Sequence, residues 1–420
     1  MRIRLVVALL AALSAGGSAQ NPPTPQTPPK VVTVPAVIDH NRIVIDVDIP
    51  RPDGQTEHVH AWVDNGNPEL ELSRHLAAQL GLKVSCDDTE CKSSPPPAIG
   101  VGDMQVPLTE IKEAHIPLKP VGAASVLASG LNAEINIPSI VLRHYDVLVD
   151  FPEKKLSIGS RGTIHFLGQS VKSQFSLGNG LIQILSQIEN KKYNLALDLG
   201  SNISFLSDEL FDKLAAAHPA WPNMIGAVGS ANTWGLDDEP KWKVMRLDRL
   251  QYGPLFLTNV AFVDFSKDRM EYFEKRAGIP TAGLVGSQAL QNYRVGLDYA
   301  HSTVYFDIGR TFNFPDFDVV GLILRPENDG QFSILGVAEF EGKPSVPTGV
   351  DGIQPGDRLI GVNGIPVLGS TMGQVWKMLG GTPGQERKLT IERGGREFTV
   401  AAAVQHFLAE APDEDRRKNK

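Results

Sequence analysis

Leu195-Ala196-Leu197-Asp198-Leu199-Gly200-Ser201-Asn202-Ile203-Ser204-Phe205-Leu206-Ser207 reads as an apolar strand ending in an aspartate, a tight glycine turn, a second short apolar run and a serine placed to open a helix. His60-Ala61-Trp62-Val63-Asp64-Asn65-Gly66-Asn67-Pro68-Glu69-Leu70-Glu71-Leu72-Ser73 repeats that order earlier in the chain. The surroundings repeat as well. Strands are expected at 42–49 and 57–63 before Asp64, and at 181–188 and 193–197 before Asp198. Helices are expected at 73–82 and 208–217, and each unit closes on a hairpin-like pair, 145–151 with 155–158 and 293–298 with 303–306. This is the pattern of one β-rich unit duplicated.

At 420 residues the chain needs two or three domains, and its plentiful Gly (40) and Pro (30) among short apolar runs favour a β architecture. A formal net charge of −8 and no run of Lys or Arg exclude nucleic acid as the main partner. Arg2 and Arg4, the apolar run 5–13 and the small residues Gly17 and Ala19 form a secretory signal over 1–19. No later segment reaches the roughly 18 apolar residues of a membrane span. The expectation is an exported protein, periplasmic or secreted, with no stable membrane anchor after signal cleavage. A Pro-rich linker follows at 20–30, then a first lobe at 31–160, a second at 168–310, a third unit at 318–404 and a disordered charged tail at 405–420. Cys86 and Cys91, the only cysteines, suit a local disulfide in an oxidising compartment, in preference to a metal site or free thiols. His58 and His60 share a strand face without a third ligand in view, which favours a solvated pair over a metal site.

An Asp-x-Gly turn delivers a strand-end carboxylate into a tight backbone space. Two such turns facing each other bring like charges so close that one carboxyl keeps a proton, and the pair can then serve as general base and general acid around a water. The tripeptide alone is weak: Asp307-Ile308-Gly309 has the same form and lacks the following helix. The bland alternative, two aspartates capping turns in a barrel core, is outweighed by the repeat.

With these residues the lobes, over about 31–307, resemble the retropepsin and pepsin-type aspartic peptidases, whose halves each carry Asp-Thr/Ser-Gly. Gly283-Leu284-Val285-Gly286-Ser287-Gln288-Ala289-Leu290 is similar to that family's hydrophobic-hydrophobic-Gly element and its helix. The resemblance implies a mainly β fold of two homologous acid-protease-like β-barrel lobes. It also implies Asp64 and Asp198 as the catalytic pair, with Asn65, Gly66, Leu199, Gly200 and Gly286 shaping the catalytic loops, and no cofactor or metal. The chain departs from the family at three places. Asn65 and Leu199 stand where the family has Thr or Ser gripping across the loops; an amide can donate and accept, a leucine neither. Pro138, in Ile135-Asn136-Ile137-Pro138, stands where Gly286 has its counterpart.

Beyond it, 332–404 looks like a PDZ domain, a small α+β unit, on the motif Gly352-Ile353-Gln354-Pro355-Gly356-Asp357-Arg358-Leu359-Ile360-Gly361-Val362-Asn363-Gly364. The resemblance implies capture of a peptide C-terminus, with Gly330-Gln331-Phe332-Ser333 as the carboxylate loop and 372–379 as the groove helix. A PDZ fold that packs on the lobes and binds nothing is the alternative. The sequence as a whole favours an exported aspartic-type endopeptidase acting on protein or peptide substrates. A catalytically inactive, peptidase-like peptide-binding protein is the alternative.

Overall fold

The computed structural model describes residues 31–88, 90–116, 131–176, 179–228, 239–309, 317–327 and 329–408. The expected signal, the Pro-rich linker and 409–420 of the expected tail lie outside the described residues. The chain is mainly β, as expected, and its first two units are built alike around the two aspartates. In the first lobe the strand Thr56–Asp64 lies between Arg42–Pro50, antiparallel, and Ile135–Pro138, parallel. In the second, Lys191–Asp198 lies between Ile182–Ile188, antiparallel, and Gly283–Gly286, parallel. The registers correspond residue for residue: Pro138 sits opposite Asp64, and Gly286 opposite Asp198.

The helix that follows each aspartate begins at the serine read from the sequence. Ser73 accepts from Leu76 N–H at 2.8 Å to start helix α1 (Arg74–Gln79). Ser207 accepts from Leu210 N–H at 3.3 Å to start α3 (Asp208–Ala217). Helix α1 is shorter than expected because Gly81, at φ +65°, turns the chain out of it. A further short helix, α2 (Ser139–Leu142), follows Pro138.

The closing hairpins join the lobes. Tyr145–Asp150 and Tyr293–Asp298 pair antiparallel at the middle of a six-stranded sheet whose outer members are Lys155–Ser160, Val31–Pro35, Thr303–Ile308 and Gln169–Lys172. One hydrophobic core runs through both lobes, from Val63 and Leu72 to Leu197, Leu199 and Val285. Asp307, of the third Asp-x-Gly, lies within the last hairpin strand, Thr303–Ile308, and is ion-paired with Arg294.

The C-terminal unit is a sheet of Leu322–Pro326, Phe332–Val337, Arg358–Val362, Glu386–Arg393 and Arg396–Ala403, in that order, with helix α5 (Met372–Leu379). It is fused to the lobes. Its segment Glu339–Phe340 adds to the second lobe's sheet beside Asn223–Ile225, and a single core runs from Phe205 and Phe265 into Phe332, Leu359 and Val400. Asp39 of the first lobe receives Gly373 N–H (3.1 Å) and the Thr371 hydroxyl at the start of α5.

The structure departs from two expectations. Gly330-Gln331-Phe332-Ser333 is not a loop at the entry of the groove. Gly330 and Gln331 turn the hairpin between Leu322–Pro326 and Phe332–Val337, and Phe332 is buried in the core. The edge strand Leu322–Pro326 starts near the end of α5, where Val320 N–H donates to Leu379 C=O (3.1 Å), and finishes near its beginning, where Gly369 N–H donates to Gly330 C=O (3.2 Å). The segment beside the end of α5 is therefore Val319 to Leu322, one strand earlier than Gly330 to Ser333. The charged tail also begins later than 405. Gln405–His406 pairs with Asp318–Val319, and Phe407 and Leu408 are buried, because apolar side chains there complete the module's core.

Candidate active site

The strand ends bring Asp64 and Asp198 to one place, both nearly fully buried (3% and 7% exposed) at the floor of a cleft of about 360 Å³. The loops interlock. A Cβ on Gly66 would fall 2.1 Å from Asp198 Cγ, and one on Gly200 would fall 2.2 Å from Asp64 Oδ1. Each glycine is thus required by the other lobe's carboxylate, and neither needs an unusual φ. Asp64 Oδ1 accepts from Gly66 N–H (3.1 Å), while Asp198 Oδ1 accepts from Gly200 and Ser201 N–H (both 2.9 Å).

Asn65 spans the two loops by itself. Its Nδ2 donates to Leu197 C=O at 2.8 Å and its Oδ1 accepts Leu199 N–H at 2.6 Å, both buried. Leu199 buries its side chain in the common core, and its carbonyl accepts from Ser287 Oγ at 2.7 Å. The leucine's backbone is satisfied on both sides, so the departure from Thr or Ser leaves a grip made from one lobe only.

The segments beneath the loops also correspond. Ser287 N–H donates to Ser201 C=O and Ser139 N–H to Asn67 C=O, each at 2.8 Å. A Cβ on Gly286 would meet Ile203 C=O at 2.2 Å, so only glycine passes there. Pro138 is accommodated at φ −78°, an ordinary proline value, without strain.

Two groups that sequence reading missed break the symmetry behind the carboxylates. Arg42 is fully buried and lies within electrostatic reach of Asp39 and Asp64. Burial lowers its pKa to about 10 against the opposing pull of those two carboxylates, so it remains a cation at any ordinary pH. Behind Asp198 lies Tyr252, whose hydroxyl donates to Ala196 C=O at 3.3 Å. Burial, with the Asp198 charge adding, pushes that phenol well above its usual range, so it is neutral. The cleft walls were missed too: Trp62 and Glu71 on the first-lobe side, Phe265 and the residues Arg269, Tyr272 and Phe273 of helix α4 (Lys267–Ala277) on the other.

Away from the cleft, Cys86 and Cys91 form a disulfide closing the turn between Ser85–Cys86 and Cys91–Ser93. His58 and His60 pair with Asp48 (2.6 Å) and Asp46 (2.7 Å) on the neighbouring strand. No helix among the described residues is long and apolar enough to cross a membrane.

Among solved structures the chain is similar to an aspartic proteinase from Irpex lacteus, at 11% identity and TM-score 0.41 over 67% of this chain and 98% of that one. It is also similar to conglutin gamma, a 7S globulin of lupine seeds, at 12% and 0.39 over 66% and 95%. No family model and no curated protein matches it. The two-fold relation of the Asp64 and Asp198 settings stands on the chain's own registers rather than on these likenesses.

Proposed function

We propose that the chain is an exported endopeptidase of the aspartic type, with Asp64 and Asp198 as its dyad. The observation that supports this reading is the interlocking of two strand-borne carboxylates, each packed on the other loop's glycine at the floor of one cleft. Two carboxyls so placed share one proton. The buried cation Arg42, within electrostatic reach of Asp64, helps the pair carry its one negative charge, while the neutral Tyr252 phenol lies behind Asp198. The ionised carboxylate takes a proton from water as the water oxygen bonds to the peptide carbonyl carbon, and the carboxylic acid protonates the carbonyl oxygen. Transfer of a proton to nitrogen then breaks the C–N bond, giving a carboxylic acid and an amine.

The C-terminal module resembles a PDZ domain. The recognition this implies is a peptide C-terminus added as a strand beside Leu322–Pro326, between that edge and α5.

The test is cleavage of unfolded protein and peptides by the mature chain from pH 3 to 7, beside Asp64→Asn and Asp198→Asn. Cleavage by the wild type that falls by at least about a thousandfold in both variants is expected. Absence of cleavage would move the reading to a peptide-binding protein with peptidase-like lobes. Cleavage unaffected by either change would remove the dyad.

A further inference from the structure

The cleft is electrically lopsided. Its floor carries Asp64 and Asp198, and its first-lobe wall carries Glu71, held by Asn67 Nδ2 at 2.9 Å. Glu71 is fixed further by its backbone N–H, which donates to Asn136 Oδ1 at 2.8 Å. Among the described lining residues one cation faces these anions, Arg269 on the first turn of α4. Its guanidinium lies 5.1 Å from the centroid of the Trp242 ring. Trp242 is itself buried and packs edge-on against Phe205 (6.0 Å) and Phe265 (6.3 Å). A guanidinium already held over a fixed aromatic face has little freedom left to surrender on binding, and its planar donors match a carboxylate.

We infer that Arg269 selects an acidic side chain of the bound peptide, seating its carboxylate on the second-lobe wall while apolar neighbours pack among Trp62, Phe265 and Phe273. This rests on the peptidase reading of the same cleft and adds a substrate class to it. Among the described lining residues the other charged groups are all acidic, so the preference is confined to the position facing α4. Basic or neutral residues are favoured on the Glu71 side. Charges of opposite sign on the two walls also give the peptide one direction of binding. A charge-assisted pair of this kind changes selectivity by about 10–100-fold.

The experiment maps cleavage sites in reduced, unfolded serum albumin by mass spectrometry for the wild type, Arg269→Gln and Arg269→Glu, each checked for folding by thermal melting. In the wild type, Asp and Glu are expected to exceed Lys and Arg at one subsite by about tenfold or more. The excess should vanish in Arg269→Gln and invert in Arg269→Glu. No acidic preference at any subsite, or one that survives Arg269→Glu, overturns the inference while leaving the peptidase reading in place. If the wild type does not cleave, Asp64→Asn is titrated with fluorescein-labelled peptides that differ only in Glu or Lys beside a Phe. Tighter binding of the Glu peptide, lost in the Asp64→Asn, Arg269→Glu double variant, supports Arg269 selection without turnover. Equal binding of the two peptides ends it.

Discussion

Asn65 and Arg42 bear on the same two aspartate loops in different ways, one holding the loops together and the other placing a buried cation within reach of Asp64. The amide's role was legible, because an Asp-x-Gly motif places its middle residue across from the partner loop and an amide has both a donor and an acceptor. Arg42 was not legible. It lies 22 positions before Asp64, at the start of a strand read only for its apolar alternation, and nothing in spacing shows that its side chain turns inward. Its effect is testable by Arg42→Met, which keeps length and removes charge. Without a buried cation favouring the ionised dyad, the acid limb of the kcat/KM profile should move to higher pH by about one unit. The sign follows from Coulomb attraction: a cation makes losing the proton easier, so removing it makes that loss harder. A variant that is less stable but has an unmoved acid limb would show Arg42 to be structural only.

At the scale of elements, what came through from sequence was whatever the chain states twice. Both lobes, both capped helices and the closing hairpins were readable because each copy confirmed the other, and because strand and helix periods differ. Pro138 illustrates the limit. Its counterpart Gly286 must be small because Ile203 C=O lies beneath it, yet the first lobe leaves room for a ring at the same register. Local backbone spacing of that kind is a product of packing and is not written in the residue's own identity. The C-terminal module is stated only once, and there the expected carboxylate loop falls a whole strand away from the segment that lies beside the end of α5. Val320 N–H is engaged by Leu379 C=O and Leu322 N–H by Val320 C=O (2.8 Å), so backbone donors that would receive a terminal carboxylate are already used. A peptide ending there must part α5 from this segment, which costs about 0.5–1.5 kcal/mol for each bond exchanged. A free-acid peptide with an apolar last residue should therefore bind in the range of tens to hundreds of micromolar, and at least about tenfold better than its amide by titration calorimetry. Equal affinity of acid and amide would mark the module as a brace that binds no C-terminus.

Across the whole molecule the module and the lobes behave as one body, through the added strand at Asn223–Ile225, the shared core and the turn at Asp39 to Arg42. His40 sits at that turn, buried, with φ +47° and its ring 6.0 Å from Trp376 of α5. Its Nδ1 lies 3.3 Å from Asn202 Nδ2, just beyond the Asp198 loop, so the neutral ring accepts there and carries its proton on Nε2. Burial, with the Arg42 charge adding, holds its pKa well below the ordinary 6.5. Of the charged groups facing this turn, Arg42 opposes protonation, and Asp39 is bound to Thr371 and Gly373 at the start of α5. Above pH 6.5 the ring is neutral folded or unfolded and costs nothing. As pH falls below that value the unfolded chain takes up a proton that the folded one refuses, so stability is lost progressively towards the folded pKa, by up to about 1.4 kcal/mol per pH unit. An aspartic dyad works on the acid side, so the junction weakens where the proposed chemistry runs. Melting temperatures of the wild type and His40→Gln between pH 7.5 and 4.5 test this: the wild type should fall more steeply, with the gap between the two curves changing only below about pH 6.5. Parallel curves would place the acid sensitivity elsewhere in the molecule and leave His40 a neutral spacer between module and lobe.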